Sequence, residues 1–332
     1  MTKITLAHGG GGRLQNELIR QEIASRFANS ILSPLPDGAV TPEGLVISSD
    51  SFVITPRFFP GGNIGKLAVV GSVNDVLMAG GIPQYMTCSL ILEEGLDLEE
   101  LQQILDAMSQ AAKECNVLIV TGDTKVVPSG SGDGVYINTT AVGFKRAGLD
   151  LDCNRIGPGD KIIVSRSIGE HGLAVLASRY DLQSDALQSD CAALNQAVET
   201  LIAQCNKGGD LKFMRDATRG GVLGIISEIF ENTTCNAVIE ESALPVSPAA
   251  AAIGRMLGIE PGFAACEGCM AAVVAADCAE QCVEALRTLP GCGAAAIIGE
   301  AAAGSGMVEM ASEWGSRRKL IVPAGDQLPR IC

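Results

Sequence analysis

Cys332 stands last in Pro329-Arg330-Ile331-Cys332, after Val322-Pro323-Ala324-Gly325-Asp326. A thiol there reads as a reactive group on a mobile arm, because terminal segments are the least ordered parts of most domains. It is not a prenylation site, which needs three residues after the cysteine. Extended, the tail from Val322 reaches on the order of 35 Å at about 3.3–3.6 Å per residue. Carboxylates supply a second chemistry: Asp50 in Ser49-Asp50-Ser51, Asp75 in Val73-Asn74-Asp75, Asp123 in Thr121-Gly122-Asp123-Thr124, and Asp216 in Arg215-Asp216-Ala217. All four read as turn-like positions at strand ends or helix starts. Asn74-Asp75 also interrupts an apolar helical run, where a buried carboxylate is costly unless paired or bound to a metal. Carboxylates around Mg²⁺ and phosphate oxygens are the expected use. Asp50 or Asp123 taken alone also fits a helix cap or turn.

Three glycine segments could cradle phosphate: His8-Gly9-Gly10-Gly11-Gly12-Arg13, Pro60-Gly61-Gly62-Asn63-Ile64-Gly65-Lys66, and Gly130-Ser131-Gly132-Asp133-Gly134. The second leads into a helix, whose amino end attracts anions. None is a Walker A loop, since Gly61 to Lys66 is one residue short and Leu67 replaces Ser or Thr. None is a convincing dinucleotide fingerprint either. His8 and His171 are the only histidines, and no Ser/His/Asp set is supported. His171, in a glycine-flanked turn before a helix, suits capping and catalysis equally. The pairs Cys266/Cys269 and Cys278/Cys282 suggest zinc, but the strand expected between them carries them to opposite ends of itself.

These groups need elements to hold them. The spacing predicts strands at 44–54, 84–93, 117–120 and 135–144, with helices at 64–80 and 97–114. Gly157-Pro158-Gly159-Asp160 marks a boundary, after which strands at 161–164, 236–240, 270–276 and 294–299 alternate with helices at 171–180, 190–206, 219–231, 247–257 and 277–288. The expected class is α/β with mixed sheets, with a first domain at 1–150, a second at 151–322 and a flexible tail at 323–332. A net charge of −14 argues against nucleic acid. No signal peptide or membrane-length apolar run is evident, so a cytoplasmic location with reduced thiols is expected for the 12 cysteines.

Asp50-Ser51-Phe52-Val53, Phe58-Phe59-Pro60-Gly61-Gly62, Ile64-Gly65-Lys66-Leu67-Ala68, Val73-Asn74-Asp75 and Thr121-Gly122-Asp123-Thr124-Lys125-Val126-Val127 form a recognisable series. With Ile137-Asn138-Thr139-Thr140, Met214-Arg215-Asp216-Ala217-Thr218-Arg219-Gly220-Gly221 and Leu328-Pro329-Arg330-Ile331-Cys332, the chain resembles the HypE family of hydrogenase maturation factors, within the PurM-like (aminoimidazole ribonucleotide synthetase) superfamily. The resemblance implies a two-domain PurM-like homodimer whose first domains pair their sheets. It implies an ATP-dependent carbamoyl dehydratase, in which a carbamoyltransferase, HypF, loads Cys332 and ATP converts the carboxamide to a thiocyanate. The cyanide then passes to iron on a HypC–HypD complex for the nickel–iron hydrogenase site. Glu267 and Lys125 would handle protons at the carboxamide. Asp50, Asp75, Asp123 and Asp216 would serve Mg²⁺–ATP, with Thr124, Asn63, Lys66 and the segment holding Gly10 and Gly11 near the phosphates. The chain departs from the family at Cys266 and Cys269, where Asn and Lys are usual around Glu267, and at Asn63, where Asp is usual.

Overall fold

The computed structural model describes residues 3–9, 13–32, 36–182, 186–205, 210–231, 233–323 and 330–332. After a short helix α1 (Arg13–Leu18) come β1 (Ala39–Val40), β2 (Leu45–Phe52) and a small hairpin, β3 (Phe58–Phe59) and β4 (Gly62–Asn63). The hairpin feeds α2 (Ile64–Met78), followed by β5 (Gly81–Glu93), α3 (Leu98–Glu114), β6 (Leu118–Val127) and β7 (Val135–Lys145). The strands form one sheet in the order β1-β2-β7-β5-β6. Only β5 and β6, joined by α3, run parallel, so the sheet is mixed.

Burial shapes the helices of this half differently. In α2 the residues Ile64, Leu67, Val69, Val70, Val73, Val76 and Leu77 are all buried, which makes it apolar on every side. A helix of that kind belongs inside a core, and its valines are tolerated because packing outweighs propensity. The Asn63 side chain caps it by accepting from the Lys66 amide at 3.0 Å. By contrast α3 is amphipathic, capped by Asp97 with Glu99 and Glu100 in its first turn. Coverage stops short of β6. Nine of its ten residues are exposed, and Leu118, Ile119, Val120 and Val126 leave their side chains in solvent.

The second half has β8 (Lys161–Val164), α4 (Glu170–Arg179), α5 (Asn195–Gln204), β9 (Leu211–Asp216), α6 (Gly221–Glu231) and β10 (Cys235–Glu240). Then come α7 (Pro248–Leu257), β11 (Met270–Val274), α8 (Ala279–Arg287), β12 (Ala296–Ala303), β13 (Val308–Ala311) and β14 (Arg317–Lys319). Its sheet runs β14-β13-β10-β12-β8-β11-β9 and is antiparallel except where β10 meets β13. No helix among the described residues is long and apolar enough to cross a membrane.

Asn74 joins the halves from the buried body of α2. Its Nδ2 donates to the carbonyls of Ala192 at 3.2 Å and Glu267 at 3.4 Å, while its Oδ1 accepts from the Leu194 amide at 2.9 Å. The polar interruption in α2 is therefore the seam between the domains.

Candidate active site

A cleft of about 1260 Å³ opens along that seam, and Asp50, Asp75, Asp216, Glu267, Arg219 and Cys332 all line it. Asp216 ends β9, at the only strand end among the four aspartates. The turn-like settings expected for the others are not what the chain adopts. Asp50 lies within β2, Asp75 in the last turns of α2 and Asp123 in the body of β6. Sheet and helix pairing override the local turn preference of Ser-Asp-Ser and Gly-Asp-Thr. Gly221 supports the turn after Asp216. Its φ is +61°, and a Cβ there would come within 2.7 Å of the Gly262 carbonyl.

The carboxyls crowd one another. Ser48 Oγ donates to Asp75 at 2.7 Å, and Ser72 Oγ donates to Asp50 at 2.9 Å. Burial, then the neighbouring Asp216 and Asp50, hold Asp75 well above the usual carboxylate range. Burial and Asp37 push Asp216 up to about 7. Burial, with Asp216 and Asp190 adding to it, raises Glu267 well above its ordinary value. Cationic partners stand close by. Arg215 pairs with Asp37 at 2.9 Å and with Glu228 at 3.1 Å. Arg219 is exposed to the cleft; desolvation opposes its charge, but Asp37 and Asp75 keep the guanidinium charged.

Asp216 Oδ2 is buried and has no hydrogen-bond partner. A carboxylate oxygen left so, beside two more carboxyls, is an all-oxygen donor set of the kind a hard divalent cation takes. Asp50, Asp75 and Asp216 therefore fit Mg²⁺. Thr218, Arg219 and Gly220 bring the amino end of α6 to the same cleft, where the helix dipole favours phosphate.

Glu267 is 3% exposed and held by its backbone. Asp190 accepts from the Glu267 amide at 3.0 Å and from the Gly268 amide at 3.1 Å, and Arg166 donates to the Asp190 carbonyl at 2.7 Å. Cys332 lines the same cleft. The Val53 amide donates to the Cys332 carbonyl at 3.1 Å. His171 Nε2 donates to the Ile331 carbonyl at 2.9 Å, and its Nδ1 faces Ser189 Oγ at 2.7 Å. Burial lowers the His171 pKa, so the ring is neutral and one of its nitrogens can accept from Ser189. Arg179 donates to the carbonyls of Thr55 at 3.0 Å and Arg330 at 2.9 Å, and Arg330 pairs with Asp133. The last three residues are thus docked across both domains, and His171, inside α4 rather than at its N-cap, anchors them through the Ile331 carbonyl.

Other expected residues lie elsewhere. Asp123 and Lys125 pair with each other at 2.6 Å on exposed β6, which holds Thr124 between them. Asp50 is opposite Thr139, Thr139 opposite Cys88, and Cys88 opposite Gly122. Three strand spacings of about 4.8 Å therefore put Asp50 and the β6 edge roughly 14 Å apart. Asn63 caps α2 and Lys66 Nζ donates to the Gly61 carbonyl at 3.3 Å; neither lines the cleft. His8 and Gly9 line it, whereas Gly10 and Gly11 fall outside the described residues. The Gly130 segment is not open to phosphate, because the amides of Gly130 and Gly134 both donate to Glu93. Asp37 and Asp190 carry no local signal in sequence, and only the fold brings them to the groups they face.

The fold and cleft define an AIR synthase-related protein. The family models "AIR synthase related protein, N-terminal domain" and "AIR synthase related protein, C-terminal domain" match residues 36–144 and 157–311. A carbamoyl dehydratase HypE from Rhizobium leguminosarum bv. viciae is 41% identical over 335 residues, 99% of this chain and 95% of that protein. A HypE–HypF complex is similar in structure, with TM-score 0.87 and 38% identity over 92% of this chain and 99% of that one. HypE in complex with ATP gives TM-score 0.82 and 39% identity over 99% of this chain and 100% of that one. The chain belongs to the HypE family of carbamoyl dehydratases.

Proposed function

We propose that this chain is the ATP-dependent carbamoyl dehydratase of nickel–iron hydrogenase maturation, with Cys332 as carrier of the reacting group. The observation that carries this reading is the docking of Cys332 into the cleft that Glu267 and the three aspartates share. HypF loads a carbamoyl group on the thiol, in keeping with the complex seen for the related protein. The carboxamide oxygen attacks the γ-phosphorus of ATP and ADP leaves. One amide N–H proton is lost as the O-phosphorylated imidate forms. Loss of the second proton then expels phosphate and leaves S–C≡N on Cys332.

Within this scheme Glu267 accepts an amide proton. A carboxyl held protonated in the bare cleft becomes a base once cationic charge offsets its acidic neighbours, and a raised pKa suits proton transfer near neutrality. Arg219 and the α6 amides hold phosphate. Asp50, Asp75 and Asp216 would hold Mg²⁺, which supplies charge neutralisation for the triphosphate. Asn63 and Lys66 would act at most from beyond the cleft wall.

Lys125 and Asp123 stand on β6, three strand spacings or roughly 14 Å from β2, and neither lines the cleft that holds Cys332 of their own chain. An exposed, apolar edge strand is normally covered, and β6 is such an edge beside Tyr85, Ile91 and Phe144, all partly in solvent. A homodimer through this sheet would cover it, and Lys125 would serve the partner's cleft. Transfer of the cyano group to a HypC–HypD complex completes the cycle. Intact-mass measurement tests the reading. Incubation with HypF, carbamoyl phosphate and ATP should first add one carboxamide and then remove one water, and a Cys332→Ser chain should show neither.

A further inference from the structure

The twelve cysteines form no disulfide, and most are dispersed as small buried side chains. Cys266 and Cys269 neighbour each other, and three more come together as a cluster. Cys205 caps the carboxyl end of α5, Cys278 is the N-cap of α8, and Cys282 lies one turn further along that helix. Cys205 Sγ is 3.7 Å from Cys278 Sγ and 3.8 Å from Cys282 Sγ, and all three sulfurs lie within 4.8 Å of one another. The cluster sits on the α5–α8 layer, and none of its members lines the cleft. The strand β11 separates Cys278 and Cys282 from Cys266 and Cys269, as the sequence predicts, so the partner of the second pair is Cys205 from a distant segment.

We propose that Cys205, Cys278 and Cys282 bind one Zn²⁺ through three thiolates. A tetrahedral ion with metal–sulfur bonds of about 2.3 Å places its sulfurs about 3.8 Å apart, so the two Cys205 distances already match two edges of that tetrahedron and the third pair lies within 4.8 Å. Binding converts three thiols to thiolates and releases three protons, leaving a complex of net charge −1. The amino end of α8 carries the positive helix dipole, which favours thiolate at Cys278 and Cys282. Among the described residues no fourth His, Cys, Asp or Glu joins the group. Cys278 and Cys282 are buried while Cys205 is half-exposed, and water takes the fourth position. A site of this form ties the end of α5 to the start of α8 and exchanges its ion with chelators.

The test uses the full chain, reduced with a non-thiol reductant, stripped with a chelator and titrated with Zn²⁺. The expected result is one equivalent bound with release of close to three protons and a raised melting temperature. Cd²⁺ should give thiolate-to-metal charge-transfer absorption of matching stoichiometry. Cys205→Ser and Cys282→Ser should each weaken binding at least ~10-fold, since losing even a group that only supports a metal ligand costs about that much, whereas Cys88→Ser and Cys292→Ser should not. If Cys282→Ser does not fold, the half-exposed Cys205→Ser carries the comparison. Substoichiometric Zn²⁺, undiminished binding in the Cys205→Ser chain, loss of binding only on changing Cys266 or Cys269, or uptake of Cu(I) without Zn²⁺ would each overturn the assignment. ATPase and mass assays on the same chains keep this outcome separate from the function of the cleft.

Discussion

Asp75, Asp216 and Glu267 share one cleft in which burial disfavours their charge, and their neighbours add to the effect. A carboxyl with a folded pKa above its unfolded value stabilises the fold fully below that unfolded value, near 3.9 for Asp. The contribution is lost as pH rises through the folded value, about 7 for Asp216. The ligand-free protein should therefore melt at lower temperature at pH 8 than at about pH 6, through Asp216 facing Asp37, Asp50, Arg215 and Arg219. Asp216→Asn should flatten that slope and raise the melting temperature at pH 8, while Asp75→Asn should keep the fold and lose ATP turnover. Calorimetry across pH checks the first, and an unchanged slope in Asp216→Asn would remove the linkage to this group. Glu267→Gln keeps the shape and loses the base. It should accumulate carboxamide on Cys332 with dehydration slowed ~10²–10⁴-fold, the usual worth of general base catalysis. Single-turnover mass spectrometry reads both species.

At the scale of elements, the anchoring of the tail matters as much as its length. The carbonyls of Ile331 and Arg330 are held by His171 on α4 and Arg179 at its end, and that of Cys332 by the Val53 amide just beyond β2. His171→Phe fills similar space beside Phe59 but removes one donor. A hydrogen bond worth about 1 kcal/mol corresponds to roughly a fivefold loss of docked tail. Dehydration should slow by about that factor, while loading by HypF, which needs the tail outside, should not slow. Equal slowing of both steps would count against an anchoring role. Apolar periodicity made most of the longer helices and the core strands legible in sequence, and the motifs flagged Asp50, Asp75, Asp216 and Cys332, while Glu267 came from the family resemblance alone. Less visible was the extent of β6, because Thr121-Gly122-Asp123 looks like a turn until β5 pairs with it. The strand β9 was hidden by its mixed pattern, half-buried beside β11. Asp37 and Asp190 are distant in sequence from the groups they face, so no local spacing could reveal them.

For the whole molecule, the position of Lys125 and the nakedness of β6 raise one question. A single chain places Lys125 on an exposed edge with an apolar strand around it, and Cys332 in a cleft bordered by the far side of the same sheet. If two copies pair through this sheet with two-fold symmetry, each edge meets the other chain and each cleft can draw on its partner. Val120→Asp should then yield a monomer by sedimentation and lose dehydration along with it. A sharper check mixes two inactive chains, Lys125→Ala and Cys332→Ser, after dissociation. Random pairing makes half the dimers mixed, and each mixed dimer joins one intact Cys332 to one intact Lys125. About a quarter of wild-type dehydration should return if Lys125 acts across the dimer. If Lys125 served its own chain, the mixture would stay inactive, because every Cys332 would still sit in a chain lacking the lysine.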